Sequence, residues 1–325
     1  MPVLAVDDAE HEGRVLAVDM SMVELIAALR RRLAAGERVL RVLALDPDLG
    51  RGCYSGERVM VAGGEHRLHR LHRSWRAWLD LAGRLGLRMA TPRRVDAATL
   101  ELRLERLDER ARWQAADDVP ASERYGRDSG YARISKLEDP DLVIDLDDAL
   151  TRAGLPAAPR ILELGVNRGD SFALIAALRP ALVGAAEFVG VDHSASALAL
   201  ARERFPGPRH RFIAADVNAL ASLGLGEFDL VLAMGTLQSP GVDDRALLRQ
   251  LVQHQLAPAG ALIVGVPNCR YLDGELLHGA RQKNYTQPEL GLVIKDIAFY
   301  RRYLQQHRRT VHVTGKHYLL VTAVA

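Results

Sequence analysis

The chain has 325 residues, 48% hydrophobic and 26% charged, the balance of an ordinary folded protein rather than a disordered or fibrous one. A formal charge of +2 is too small to announce a polyanionic partner, and 39 arginines against 4 lysines reflect composition rather than a binding patch. Only Cys53 and Cys269 occur, which excludes a disulfide framework and an all-cysteine zinc site, and no run of 18 apolar residues is present to span a membrane. Asp7, Asp8, Glu10 and Glu12 stand where a secretory signal needs a basic start, so the expected compartment is the reducing cytoplasm. The length exceeds what one core uses and predicts two domains.

Residues 1–112 read as a small α+β domain. It opens with an apolar strand over 14–19 and a helix from Met22 to about Ala35, where Ser21 and Glu24 make a capping box and Gly36 ends the run. Strand-like runs at 38–45 and 57–62 lead to Gly63-Gly64. The stretch 66–79 then places Leu68, Leu71, Trp75, Trp78 and Leu79 on one face at 100° per residue, with His66, His69, Arg70, Arg73 and Arg76 opposite, which predicts an amphipathic helix with a basic back. Residues 51–94 carry ten arginines against three acids, so a nucleic-acid partner is an open reading, but not the favoured one, because the aromatic residues lie on the apolar stripe. His66, His69 and His72 drift around a helix and no carboxylate joins them, so no metal is expected. Leu100, Leu102 and Leu104 alternate with Glu101, Arg103 and Glu105, the period of a half-buried strand.

From Trp113 to about Pro140 the periodicity disappears, and residues 113–157 read as a linker or lid followed by a helix at 141–154. Beyond 158 strands and helices alternate, the pattern of a parallel sheet covered on both faces. The strand Arg160–Leu164 runs into a turn at Gly165, Asn167 and Gly169, where glycine lets the backbone turn tightly and approach a ligand. Asp192 ends the next strand, where a carboxylate can accept both hydroxyls of a ribose, and Asp216 ends the third, placed to meet the amino edge of an adenine. A fourth strand follows at 228–235, then a Leu256-Ala-Pro-Ala-Gly-Ala-Leu262 segment and a closing hairpin at 310–323 around Gly315.

Residues 158–325 resemble the class I S-adenosylmethionine-dependent methyltransferases, in which the Glu-x-Gly turn, the two acids and the Leu-x-Pro-x-Gly-x-Leu segment recur in this order. The resemblance implies a doubly wound Rossmann-like α/β sheet with an antiparallel last hairpin, S-adenosyl-L-methionine as cofactor, and methyl transfer to an unidentified acceptor. It places Glu163 near the amino-acid moiety, Gly165 and Gly169 under the methionine part, Asp192 at the ribose, Asp216 at the adenine amine and Met234 in the pocket, with His193 and Val217 beside the two acids. Asn167 replaces the middle glycine of the usual turn, a side chain that tolerates the left-handed conformation. The order of these motifs argues against a dehydrogenase. A non-catalytic cofactor-binding scaffold or regulatory module is the alternative.

In-line displacement from a sulfonium needs positioning more than a base. His317, Tyr285 and His278 are the candidates for proton removal. Tyr125, Tyr131 and Arg133 precede the fold where a segment can close over the cofactor, and Gln238, Asn268 and Tyr271 stand in the loops after strands four and five. No Asn-Pro-Pro-aromatic tetrad follows strand four, which disfavours amino-group methylation of adenine or glutamine. Cys269 is close to where some RNA C5-methyltransferases carry a nucleophile, but no basic partner adjoins it and an inert cysteine is expected. The Pro-Asn-x-x-Tyr turn is similar to that of terminal RNA ribose methyltransferases, whose Glu-His-His metal cluster is missing here. Neither oligomeric state nor acceptor is legible.

Overall fold

A computed structural model describes residues 13–63, 66–113, 120–279 and 290–325. The chain divides into two compact units, Met1–Glu109 and Arg110–Ala325, so the irregular segment after Trp113 belongs with the sheet that follows it. Among the described residues no helix is long and apolar enough to cross a membrane.

The first unit contains β1 (Arg14–Leu16), α1 (Met22–Ala34), β2 (Val39–Leu45), β3 (Arg58–Gly63), β4 (His66–Leu71), α2 (Trp75–Arg84), β5 (Leu87–Met89), β6 (Arg93–Arg94) and β7 (Thr99–Arg106). Its main sheet runs β1-β2-β7-β5, with β6 on β7, and only the β1–β2 pair is parallel. Leu25 and Leu29 of α1 and Trp78 and Leu81 of α2 bury against Leu40, Val42, Leu102 and Leu104 of the sheet. The capping box at Ser21 and Glu24 is formed.

The stretch 66–79 is not one helix. His66–Leu71 pairs antiparallel with Arg58–Gly63, and the helix begins at Trp75, capped by the Ser74 hydroxyl. His69 is exposed on β4, whereas His72, just past the end of that strand, is buried, and Leu79 is left in solvent on the helix. The basic back is dismantled too: Arg73 is buried, its guanidinium donating to the carbonyls of Ala17 and Met20 and lying over the Trp78 ring, while Arg70 pairs with Asp19.

The second unit contains α3 (Pro140–Ala153), β8 (Arg160–Leu164), α4 (Asp170–Leu178), α5 (Pro180–Val183), β9 (Glu187–Asp192), α6 (Ala195–Arg204), β10 (His210–Ala214), β11 (Phe228–Met234), α7 (Asp244–Gln250), β12 (Leu256–Pro267), β13 (Cys269–Leu272), β14 (Glu275–His278), α8 (Leu290–Gln306), β15 (Thr310–Gly315) and β16 (Tyr318–Val324). Its seven-stranded sheet has the order β10-β9-β8-β11-β12-β16-β15, parallel except for the two last strands. This is the doubly wound sheet with an antiparallel last hairpin that the sequence predicts.

Strand alternation divides the core. Leu162, Leu164, Val231, Ala233, Leu262 and Val264 pack on one face against Leu247, Leu248, Tyr300 and Leu304, and Ile161, Leu230, Leu232, Ala261 and Ile263 pack on the other against Leu142, Leu146, Phe172 and Ile175. With both faces covered, the central strands need apolar residues at every position. The exception is Glu163 in mid-β8, 2% exposed.

Candidate functional site

The parallel strands of the second unit bring their carboxyl ends together, the place where open α/β sheets bind ligands. After β8 the turn is held in the left-handed region at Gly165 (φ 67°), Asn167 (φ 51°) and Gly169 (φ 81°). At Gly165 a Cβ would stand 2.3 Å from Thr236 Oγ1, and that hydroxyl donates to the Leu164 carbonyl at 2.6 Å, so the turn after β8 and the loop after β11 are in direct contact. Asp192 ends β9. Its Oδ2 accepts from the Asn167 N–H at 2.8 Å and its Oδ1 from the Ser194 N–H at 2.9 Å, which fixes the carboxylate with its remaining lone pairs free to accept further bonds. Asp216, exposed after β10, accepts from the Asn218 N–H at 2.8 Å.

A cavity of about 410 Å³ runs from these strand ends, a size that accommodates a cofactor or a small ligand. Gly165, Asn167, Asp192, His193, Asp216, Val217 and Met234 line one part of it. Trp113, Arg124, Tyr125, Tyr131 and Lys136 from the irregular segment, with Cys269, Arg270, Tyr271 and Tyr318, are among the residues that line the rest. The rings of Trp113, Tyr125 and Tyr131 stand with each pair of centroids 5.1 Å apart.

The irregular segment is fastened to the sheet. The Glu123 carboxylate accepts from the Ser194 hydroxyl at 2.8 Å and the Ala195 N–H at 3.0 Å, and from the Ser196 hydroxyl, at the first turn of α6. Anions are favoured at such a helix start. Asn167 Nδ2 donates to the Tyr125 carbonyl at 2.6 Å, and Arg168 donates to the carbonyls of Ala132 at 2.5 Å and Ile134 at 2.7 Å. Tyr131 is thereby carried into the cavity wall, whereas Arg133 is not among the lining residues.

Glu163 and Gly169 lie behind the cavity rather than on it. Burial pushes the Glu163 carboxyl up to about 8, offset in part by a hydrogen bond with Ser171 and by the Lys136 ammonium. Gly169 starts α4, where a Cβ would meet the Phe205 ring at 2.8 Å, so its role is packing. Gln238 is also behind the wall, its Nε2 donating to the Tyr300 hydroxyl at 3.2 Å, and Asn268 spends its Nδ2 on the Lys316 carbonyl at 3.1 Å. Of the loop candidates only Tyr271 lines the cavity.

The structure does not bring the two histidine candidates to the site. His317 Nδ1 stands 3.5 Å from both Asp139 Oδ1 and Asp141 Oδ2 at the start of α3, where Lys316 Nζ is 3.4 Å from Asp141, and the His278 ring lies 6.1 Å from that of His317. Neither histidine lines the cavity. Asp139, Asp141 and His317 do bring ligand atoms within 4.8 Å of one another, but the ammonium already supplies a cation there. Tyr285 lies outside the described residues. Cys269 reaches the wall, yet burial pushes its thiol up to about 12, which leaves it an inert neutral group. Tyr271 and Tyr318 are raised by burial as well. Sequence reasoning passed over Lys136 and left Trp113 as a mere boundary, and no local periodicity marks either.

Residues 161–260, which contain the Gly165 turn, Asp192, Asp216 and β11, match the family model described as "Methyltransferase domain". The second unit carries a methyltransferase domain. Among curated relatives, trans-aconitate 2-methyltransferase of Variovorax paradoxus (strain S110) is 36% identical over 123 residues, 38% of this chain and 44% of that protein. The protein of the same description from Delftia acidovorans (strain DSM 14801 / SPH-1) is 30% identical over 152 residues, 46% of this chain and 53% of that protein. The chain thus spans about half the length of the curated relatives it matches. Among solved structures, magnesium protoporphyrin IX methyltransferase from Synechocystis PCC 6803 with bound SAM is 18% identical, covering 62% of this chain and 88% of that one, with a TM-score of 0.38.

Proposed function

We propose that the chain is an enzyme that binds S-adenosyl-L-methionine in the cavity of its methyltransferase domain and transfers the methyl group to a small acceptor. The observation that carries this reading is the Asp192 carboxylate, oriented by two backbone N–H groups on the cavity wall beside the left-handed Gly165 turn. The residues fit the cofactor: a carboxylate for vicinal hydroxyls, a second acid at Asp216, and the apolar Val217 and Met234 on the same cavity wall. When bound, the cofactor supplies a methyl group on a positively charged sulfonium.

The chain's own contribution is binding, orientation and exclusion of water. Cys269, Tyr271 and Tyr318 present neutral groups, so this wall offers hydrogen bonds and aromatic faces rather than a base. That wall suits an acceptor atom that is nucleophilic without proton removal. A cavity of about 410 Å³ favours a small molecule, and the acceptor named for the relatives, trans-aconitate, is one. A nucleic-acid acceptor is disfavoured by the loss of the basic helix at 66–79. Two free cysteines fit a cytoplasmic setting.

Calorimetric titration tests the reading. Wild-type protein is expected to bind S-adenosylmethionine and S-adenosylhomocysteine, and Asp192→Ala to lose most of that affinity. No binding to the wild type overturns the reading; binding with no turnover on any small acceptor supports the non-catalytic module instead.

A further inference from the structure

Lys136, one of only four lysines in the chain, is placed in the cavity wall by the segment that Arg168 and Glu123 fasten down. Its ammonium sits between two ring faces, 5.6 Å from the Tyr131 centroid and 5.5 Å from that of Tyr318, and it hydrogen-bonds Tyr131. Rings attract a cation, but they do not neutralise it. Among the described residues no carboxylate forms an ion pair with Lys136. The acids around it are committed elsewhere. Asp170 is bound by Arg168 at 3.0 Å and Arg204 at 2.7 Å, and Asp192 holds two backbone N–H groups. Glu163, pushed up to about 8, is largely protonated at neutral pH. Burial pulls the lysine down, yet Tyr131 first, through its hydrogen bond, and Asp170 hold it above its ordinary value, so it stays charged.

A half-buried ammonium without a counter-ion, facing a ligand-sized cavity, is a costly arrangement unless an anion enters to complete it. We propose that Lys136 is the carboxylate anchor of this cavity, taking a ligand carboxylate between Tyr131 and Tyr318. The proposal rests on the cofactor reading above. Two ligands of the reaction could bring that group: the amino-acid end of the cofactor, or the acceptor.

The test is calorimetry on the full chain with three probes: S-adenosylhomocysteine, which carries a carboxylate; 5′-methylthioadenosine, which shares the nucleoside and lacks it; and citrate, added to protein saturated with methylthioadenosine. Lys136→Met keeps the length of the side chain without its charge. Loss of a charged hydrogen bond predicts about 10- to 100-fold weaker binding of the carboxylate ligand. If S-adenosylhomocysteine weakens by that factor while methylthioadenosine stays within about twofold, the cofactor's carboxylate is at Lys136, and Lys136→Arg should recover part of the loss. If S-adenosylhomocysteine is unaffected and wild-type binding of citrate is lost, the acceptor's carboxylate is there. A variant that binds all three probes like the wild type overturns the proposal, as does equal weakening of both nucleosides, which marks a damaged cavity. Wild-type protein that binds neither nucleoside overturns the cofactor reading itself, and the proposal with it.

Discussion

Replacing Gly165 by alanine tests whether the turn after β8 and the loop after β11 are built as one unit. The residue has φ 67°, which an L-residue adopts at a cost of about 1–2 kcal/mol. The new methyl would also stand 2.3 Å from Thr236 Oγ1, far inside contact distance, and overpacking of this kind typically costs about 1–3 kcal/mol. The two contributions together predict that Gly165→Ala lowers stability by about 2–5 kcal/mol. The assay is equilibrium urea unfolding followed by circular dichroism, reading a lower midpoint at unchanged slope. Thr236→Ala alone gives up its 2.6 Å bond to the Leu164 carbonyl, worth about 1 kcal/mol, but it also vacates the space that the methyl needs. In the double variant the clash with Oγ1 should vanish, leaving the 3.2 Å approach to the Cβ of residue 236 and the dihedral part, so the two changes should couple by at least about 1 kcal/mol. Additive costs across that cycle, or a Gly165→Ala protein within about 0.5 kcal/mol of the wild type, would refute the steric argument.

Glu163 predicts a pH dependence with a definite sign. Its folded value of about 8 lies above its ordinary 4.5, so between those limits the folded chain holds a proton that the unfolded chain has released. The corresponding stability is present below 4.5, falls by up to about 1.4 kcal/mol per pH unit as pH rises, and is gone above 8. Glu163→Gln should remove that slope, and urea midpoints from pH 5 to 8 that run parallel for variant and wild type would contradict it. Arg168→Ala removes the donors to the Ala132 and Ile134 carbonyls. Amide exchange across residues 130–134 should then accelerate about 10-fold or more while β8 and β11 keep their protection, and unchanged protection would show that the segment is held by something else.

What was legible in the sequence follows from how each feature is encoded. The strands β8, β11 and β12, buried on both faces, announce themselves as apolar runs, and their parallel order fixes which ends converge; hence Asp192 and Asp216 could be placed from spacing alone. The apolar spacing of 66–79 satisfies a helix, whereas the pairing of β4 with β3 is a longer-range preference that a single-segment pattern does not carry. Ser74, the cap that starts α2, was the available signal. The histidines stand out for what their rings can do, but position decides otherwise: His317 is spent on Asp139 and Asp141.

The remaining wall of the cavity is legible only in part: Tyr125 and Tyr131 read from the sequence as a segment that can close over the cofactor, whereas Trp113 and Lys136 carry no signal. All four lie in a segment without period, and their location is set by bonds to residues far along the chain. Two of those fasteners, Asn167 and Arg168, stand in the glycine turn itself. Asn167 is the one departure from the expected glycine pattern. In the structure the same asparagine takes the left-handed conformation a glycine would take, keeps its N–H on Asp192, and spends its side chain on the Tyr125 carbonyl. A glycine at this position could make the first two arrangements but not the third. The departure therefore adds a tie between the turn and the aromatic wall, and counts for a working cavity rather than against one.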